Sequence, residues 1–239
     1  MNGIFRFSGP DALPFLAFVL AIIILIFLIP LLMLGLAGAA FSRLGFSWIE
    51  AVCVILLMLM GYFVNIPIRT FTRTGGSDSS TGAMVYDAFT GEPVPDERST
   101  TLVSLNLGGA VIPFVVSVYL LYEMERMNAG QSFLLSLVCL IAVAFVVMIS
   151  AKIIPDWGIR APLFLPSVTA LACGLLLTGG TGLAAAVTAF SGGTMGLLVG
   201  ITGLLFRKGF DQGIRQCSIG GAGAFGSVFL CILLSTLIA

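Results

Sequence analysis

The strongest constraint on this chain is a run without charge. From Pro14 to Phe41 no residue is ionisable as an acid or a base, and nearly every residue is apolar. A helix rises about 1.5 Å per residue, and about 20 residues cross the hydrocarbon core of a bilayer. Six further apolar stretches follow: Trp48–Ile66, Ser104–Tyr122, Ser132–Ala151, Pro162–Thr178, Leu183–Phe206 and Ser218–Ile238. Hydrophobic residues make up 59% of the chain and charged residues 9%, where soluble domains average about 45–50% and about 25%. A soluble globule of this size has no interior large enough for that surface. The sequence therefore predicts an all-α, polytopic membrane helical bundle of about seven transmembrane helices. It forms a single transmembrane domain over residues 1–239, its first partner is the lipid bilayer, and its expected place is the cell (plasma) membrane. A nucleic-acid-binding role is excluded.

The polar segment 68–103 interrupts this pattern. It carries Arg69, Arg73, Asp78, Asp87, Glu92, Asp96, Glu97 and Arg98. Met84–Phe89 and Thr100–Leu105 read as short strands of a small hairpin around Thr90-Gly91, although Pro93 and Pro95 oppose a regular ladder. Sidedness follows from the cations. Arg6, Arg69, Arg73, Arg98, Lys152, Arg160, Arg207, Lys208 and Arg215 fall on one side, nine in all, against two, Arg43 and Arg126, on the other. The positive-inside rule then places the N-terminus and the 68–103 loop in the cytoplasm.

Much chemistry is excluded by composition. The chain has no histidine, so Ser-His catalysis, His-ligated zinc and His-ligated haem are all ruled out. Its five cysteines show no CxxC spacing and read as small buried hydrophobes. No metal and no cofactor is expected. Acids inside a bilayer are functional candidates by default, yet every Asp and Glu falls in a link or at a span edge. Glu50, the nearest to buried, completes Ser47-x-x-Glu50, a capping box that starts the second span.

Neutral residues carry the remaining candidates. Asn65 ends the second span and Asn106 begins the third; each fits either a structural cap or a ligand contact. Gly192, Gly196 and Gly200 form one bare stripe on span six, which lets another helix approach closely. The small residues that open span seven are the expected partner. Gly220, Gly221 and Gly223 are expected to start that helix just after Arg207, Lys208 and Arg215. A helix start with unpaired N–H groups attracts anions, such as a lipid phosphate. The string lacks the Gly-Lys-Ser/Thr ending of a Walker A loop.

Three strings resemble one family. Val64-Asn-Ile-Pro-Ile68, Leu105-Asn-Leu-Gly-Gly-Ala-Val-Ile-Pro113 and Ser218-Ile-Gly-Gly-Ala-Gly-Ala-Phe225 are similar, in order and spacing, to the prokaryotic multi-pass membrane proteins of domain-of-unknown-function family 1614. The resemblance spans nearly the whole chain and brings no activity with it. It implies a Gly-Ala-Asp late in span six and a Phe-Asp-Gly early in span seven. Here the matching residues are Gly200-Ile201-Thr202 and Phe225-Gly226-Ser227, so both carboxylates are absent. Acids at Thr202 and Gly226 would face each other across Gly-packed helices, in outline like a presenilin-type aspartyl protease. Three functions follow as expectations. The first is a non-enzymatic membrane protein whose cytoplasmic face binds lipid, an anion or a protein partner. The second is a small-solute transporter or channel, and the third a protease-like scaffold without its acids.

Overall fold

The computed structural model describes residues 12–72, 100–127, 132–154, 157–209, 214–236 and 238. Seven α-helices run through it: α1 (Ala12–Arg43), α2 (Trp48–Gly61), α3 (Ile112–Arg126), α4 (Ser132–Ser150), α5 (Leu165–Thr178), α6 (Leu183–Leu204) and α7 (Phe225–Thr236). Three stretches, Leu107–Arg126, Ser132–Ser150 and Leu183–Gly209, are long and apolar enough to cross a membrane. Ala17–Leu28, Trp48–Gly61, Leu165–Thr178 and Phe225–Thr236 are shorter apolar helices.

Local chemistry sets the helix ends. Ser47 Oγ accepts from the Glu50 N–H while Glu50 Oε2 accepts from the Ser47 N–H, at 3.3 and 2.8 Å, so the capping box closes as the sequence predicts. Pro166 occupies the first turn of α5, where a missing N–H leaves no bond unmade, and Pro113 lies in the first turn of α3, just after the change from π-helical to α-helical winding. Gly179 ends α5 in the left-handed conformation at φ 77°, the usual glycine stop.

The hub is α6, which packs against α3, α4, α5 and α7. Phe190, Leu197 and Ile201 on it are fully buried, as are Val143 and Val147 on α4 and Ile232 on α7. Around this core the surface is apolar: Phe27, Leu31, Ile49, Met60, Phe145, Ile149 and Leu176 all lie exposed. Soluble proteins rarely carry a contiguous apolar surface of this kind; a hydrocarbon solvent removes the cost of exposing it.

The all-α expectation needs correction, because five strands gather at one end of the bundle. They are β1 (Asn65–Thr72), β2 (Thr100–Asn106), β3 (Lys152–Ile154), β4 (Gly158–Arg160) and β5 (Gln216–Ile219). β1 and β2 pair antiparallel, and β2 pairs parallel with β5, giving a sheet of order β1-β2-β5. β3 and β4 form a separate hairpin. The strand expected at Thr100–Leu105 is present, but it pairs with Asn65–Thr72. Met84–Phe89 and most of the 68–103 loop lie outside the described residues. Pro67 sits on an outer strand beside a register shift between Pro67 and Arg69, a position that tolerates a residue without an N–H.

Three span boundaries move accordingly. The second span's helix stops at Gly61 rather than Ile66, because the chain turns into β1. The third begins not at Ser104 but after Asn106, with a π-helical turn over Leu107–Val111 leading into α3. The seventh begins at Phe225 rather than Ser218, since Gln216–Ile219 is a strand.

Candidate functional site

Asn106 lies at the junction of these elements, fully buried. Its Oδ1 accepts from the Gly109 N–H at 2.8 Å and so caps the π-helical turn. Its Nδ2 donates to the Tyr62 carbonyl at 2.7 Å and to Asn65 Oδ1 at 3.0 Å. Asn65 Oδ1 accepts a second bond, from Ser218 Oγ. The three strings singled out in the sequence thus converge on one hydrogen-bonded cluster, Asn65–Asn106–Ser218.

The glycines around this cluster let backbone meet backbone. A Cβ on Gly108 would strike the Met58 carbonyl, and one on Gly109 the Gly220 carbonyl. One on Gly220 would lie 2.6 Å from the Gly109 carbonyl carbon. One on Gly221 would strike Ser218 Oγ, and one on Gly223 the Ile159 carbonyl. Gly220, at φ 78°, also holds a conformation that favours glycine. The expectation that Gly220–Gly223 begins a helix is therefore corrected. These residues form a turn, and the Gly221 carbonyl accepts from the Ala224 and Phe225 N–H groups at 2.9 and 2.8 Å where α7 begins.

The cations expected beside that turn are also placed elsewhere. Arg207 and Lys208 are exposed on a second π-helical turn, Leu205–Gly209, at the end of α6. Arg215 precedes β5, where its carbonyl accepts from the Leu102 N–H at 2.8 Å. The cations near Gly223 are instead Lys152 and Arg160. They are direct cross-strand partners in the β3–β4 hairpin. With Ser150, Pro162, Gly226 and Ser227 they line a cavity of about 520 Å³. No acid lines it among the described residues. The hairpin is pinned against the turn by the Ala161 N–H, which donates to the Gly223 carbonyl at 2.9 Å.

The opposite face of the hairpin borders a second cavity, of about 270 Å³, lined by Asn65, Trp157, Ile159, Gln216, Ser218, Ala222 and Gly223. Alternation along the strands explains the division, since Lys152, Ile154 and Arg160 face one way and Ile159 the other. Cys217, buried in β5, is chemically quiet. Burial pushes its thiol up to about 11, against a small opposing hydrogen bond from the Ile159 backbone.

Other predicted residues fall outside this end-cap cluster. Gly192, Gly196 and Gly200 face α4, where added Cβ atoms would crowd Cys139, Val143 and Val147. The stripe's partner is thus α4 and not the start of α7; it is Gly193 that faces Ala170 on α5 and Cys231 on α7. Thr202 and Gly226 are not brought together. Thr202 Oγ1 donates to the Leu198 carbonyl at 2.8 Å and borders an apolar cavity with Phe114, Met195 and Phe206. A Cβ at Gly226 would meet only Leu163 within 4 Å. The two positions open onto different cavities.

Sequence reasoning missed the Lys152/Arg160 pair and the polar cavity. The signal for the first was present: two cations eight positions apart around Pro155-Asp156-Trp157-Gly158 fit a hairpin whose ends meet.

Taken together, a bundle with three membrane-length helices, an apolar outer surface and a strand-built end defines a membrane-type helical protein. The family model for a protein of unknown function, DUF1614, matches residues 59–238, and the chain belongs to that family. No curated protein and no solved structure matches it.

Proposed function

We propose that this chain is an integral, multi-pass protein of the cell membrane that binds an anionic group at its cytoplasmic end. The group is a phospholipid phosphate or a small anion, and no bond is made or broken. The reading rests on one observation: Lys152 and Arg160 stand directly opposite each other on the wall of an open cavity, with no acid among its described lining residues. Like charges placed opposite each other on a hairpin destabilise it. An anion between them reverses the sign of that interaction. Apolar Ile154 and Leu163 share the cavity, which suits a phosphate carrying acyl chains.

The cytoplasmic assignment draws on the sheet, the hairpin and the end of α6 lying at one end of the bundle. Arg69, Lys152, Arg160, Arg207, Lys208 and Arg215 all belong to these elements or border them. Such clustering is what the positive-inside rule requires of cytoplasmic links.

A thermal shift in detergent tests the binding. Phosphatidylglycerol is expected to raise the melting temperature of the purified chain more than phosphatidylcholine does, by mass action on the folded state. The double variant Lys152→Gln plus Arg160→Gln is expected to lose most of that difference. An undiminished difference in the double variant, or no difference in the parent chain, would overturn the proposal.

A further inference from the structure

The second cavity, on the other face of the hairpin, has a different chemistry. We propose that it is a separate site for an uncharged polyhydroxylated group, a sugar or sugar-like headgroup.

The argument is one of hydrogen-bond orientation passed along a chain. The Gly109 backbone N–H can only donate, so the Asn106 side chain must present Oδ1 to it. Asn106 Nδ2 then points to the Tyr62 carbonyl and to Asn65. A donor facing Asn65 fixes that amide with its Oδ1 inward. Ser218 Oγ contributes its proton to the same Oδ1. What remains is determined. Asn65 Nδ2 has two N–H donors with no partner among the described residues, and Ser218 Oγ, its proton committed, remains an acceptor. Gln216, exposed on β5, adds a donor and an acceptor to the same cavity.

A fixed donor, a fixed acceptor and an amide offering both suit neighbouring hydroxyls, each of which gives and takes one bond. The rest of the lining is Ile159, Ala222, Gly223 and Trp157; Trp157 is 85% exposed, and its ring has a flat apolar face that suits the C–H side of a sugar. A tryptophan acting only as an interfacial anchor sits among lipid, whereas this one borders two amides and a hydroxyl. No charged side chain lines the cavity among the described residues, so nothing there favours an ionic ligand. The site shares Ala222 and Gly223 with the basic cavity but none of its cations.

Trp157 is also the reporter. In a Trp48→Phe background it is the sole tryptophan of the full chain, and its emission can be titrated in nanodiscs. Methyl β-glucoside is one probe; phosphatidylcholine discs containing a monoglucosyl diacylglycerol are the other, with pure phosphatidylcholine discs as the blank. A saturable change with both probes supports a site open to soluble polyols. A change with the glycolipid alone supports a headgroup site. Gln216→Ala, at an exposed position, is expected to weaken the response about tenfold. Lys152→Gln plus Arg160→Gln is expected to leave it unchanged, so failure of the anion proposal does not touch this one. No response to either probe, or equal affinity in Gln216→Ala, would overturn the proposal.

Discussion

The bundle and its strand-built end differ in how far their polar groups reach for partners. Within the helices many hydroxyls bond locally, as Thr169 and Thr202 do to the carbonyl four residues back, and a few also link neighbouring helices, as Ser117 does with Thr194 and Ser167 with the Ser227 carbonyl. In the end cap the bonds join distant segments. Asn106 reaches Tyr62 across 44 residues, Thr101 reaches Ile214 across 113, and Ser218 reaches Asn65 across 153. The glycines differ as well. In α6, Gly192, Gly196 and Gly200 make room for side chains and carbonyls of α4, and Gly193 for side chains of α5 and α7. Those of the cap meet backbone that strands and turns hold from both sides. The cap is therefore expected to tolerate an added side chain less well than the bundle.

Four substitutions bear on this contrast. Gly220→Ala is expected to be the most damaging: it adds a Cβ against Gly109 and Ala110 at a positive φ. Left-handed strain and overpacking together cost roughly 3 kcal/mol or more, read as lost folded yield in detergent. A variant as stable as the parent would show that the cap yields as easily as the bundle. Asn106→Leu comes next. It leaves the buried Gly109 N–H without its partner, at about 1–3 kcal/mol, and the part-buried Tyr62 carbonyl without its own; chemical unfolding measures the sum. Smallest is a pair within α6. Gly196→Leu crowds Leu140 and Val143 on α4, at roughly 1–3 kcal/mol. Gly203→Ala meets only the flexible Met148 side chain, and the helix propensity of alanine favours it by up to about 1 kcal/mol. Equal melting temperatures for the pair would remove the α4–α6 interface from the comparison.

The same contrast explains what the sequence made legible. Helices reveal themselves by local signals: long apolar runs, the Ser47–Glu50 box, Pro113 and Pro166 at first turns. The α6 stripe was visible because glycines four apart must share a face, but its partner was not, since spacing on one helix says nothing about which neighbour fills the groove. The strands were harder. Gln216–Ile219 is four residues long and runs on into small apolar residues, so it reads as the start of a helix. Its partner strand lies more than a hundred residues earlier, beyond any local periodicity. Asn65 and Asn106 were visible as polar residues at span ends, and the cap that Asn106 makes was among the readings. That they meet each other, and meet Ser218, is a property of the sheet alone.

The parallel pairing of β2 with β5 also sets an order of assembly. Thr101 and Ile214 are 113 residues apart, with α3 to α6 between them. At about 5–20 residues per second of synthesis, β2 waits roughly 6–23 s for its partner to be made. During that interval β1 and β2 form a bare two-stranded ribbon, which is marginal by itself. The turn that docks Gly220 against Gly109 does not yet exist. The C-terminal segment is therefore the closing piece of this protein's biogenesis: both cavities acquire their shared wall, Ala222–Gly223, only when it arrives.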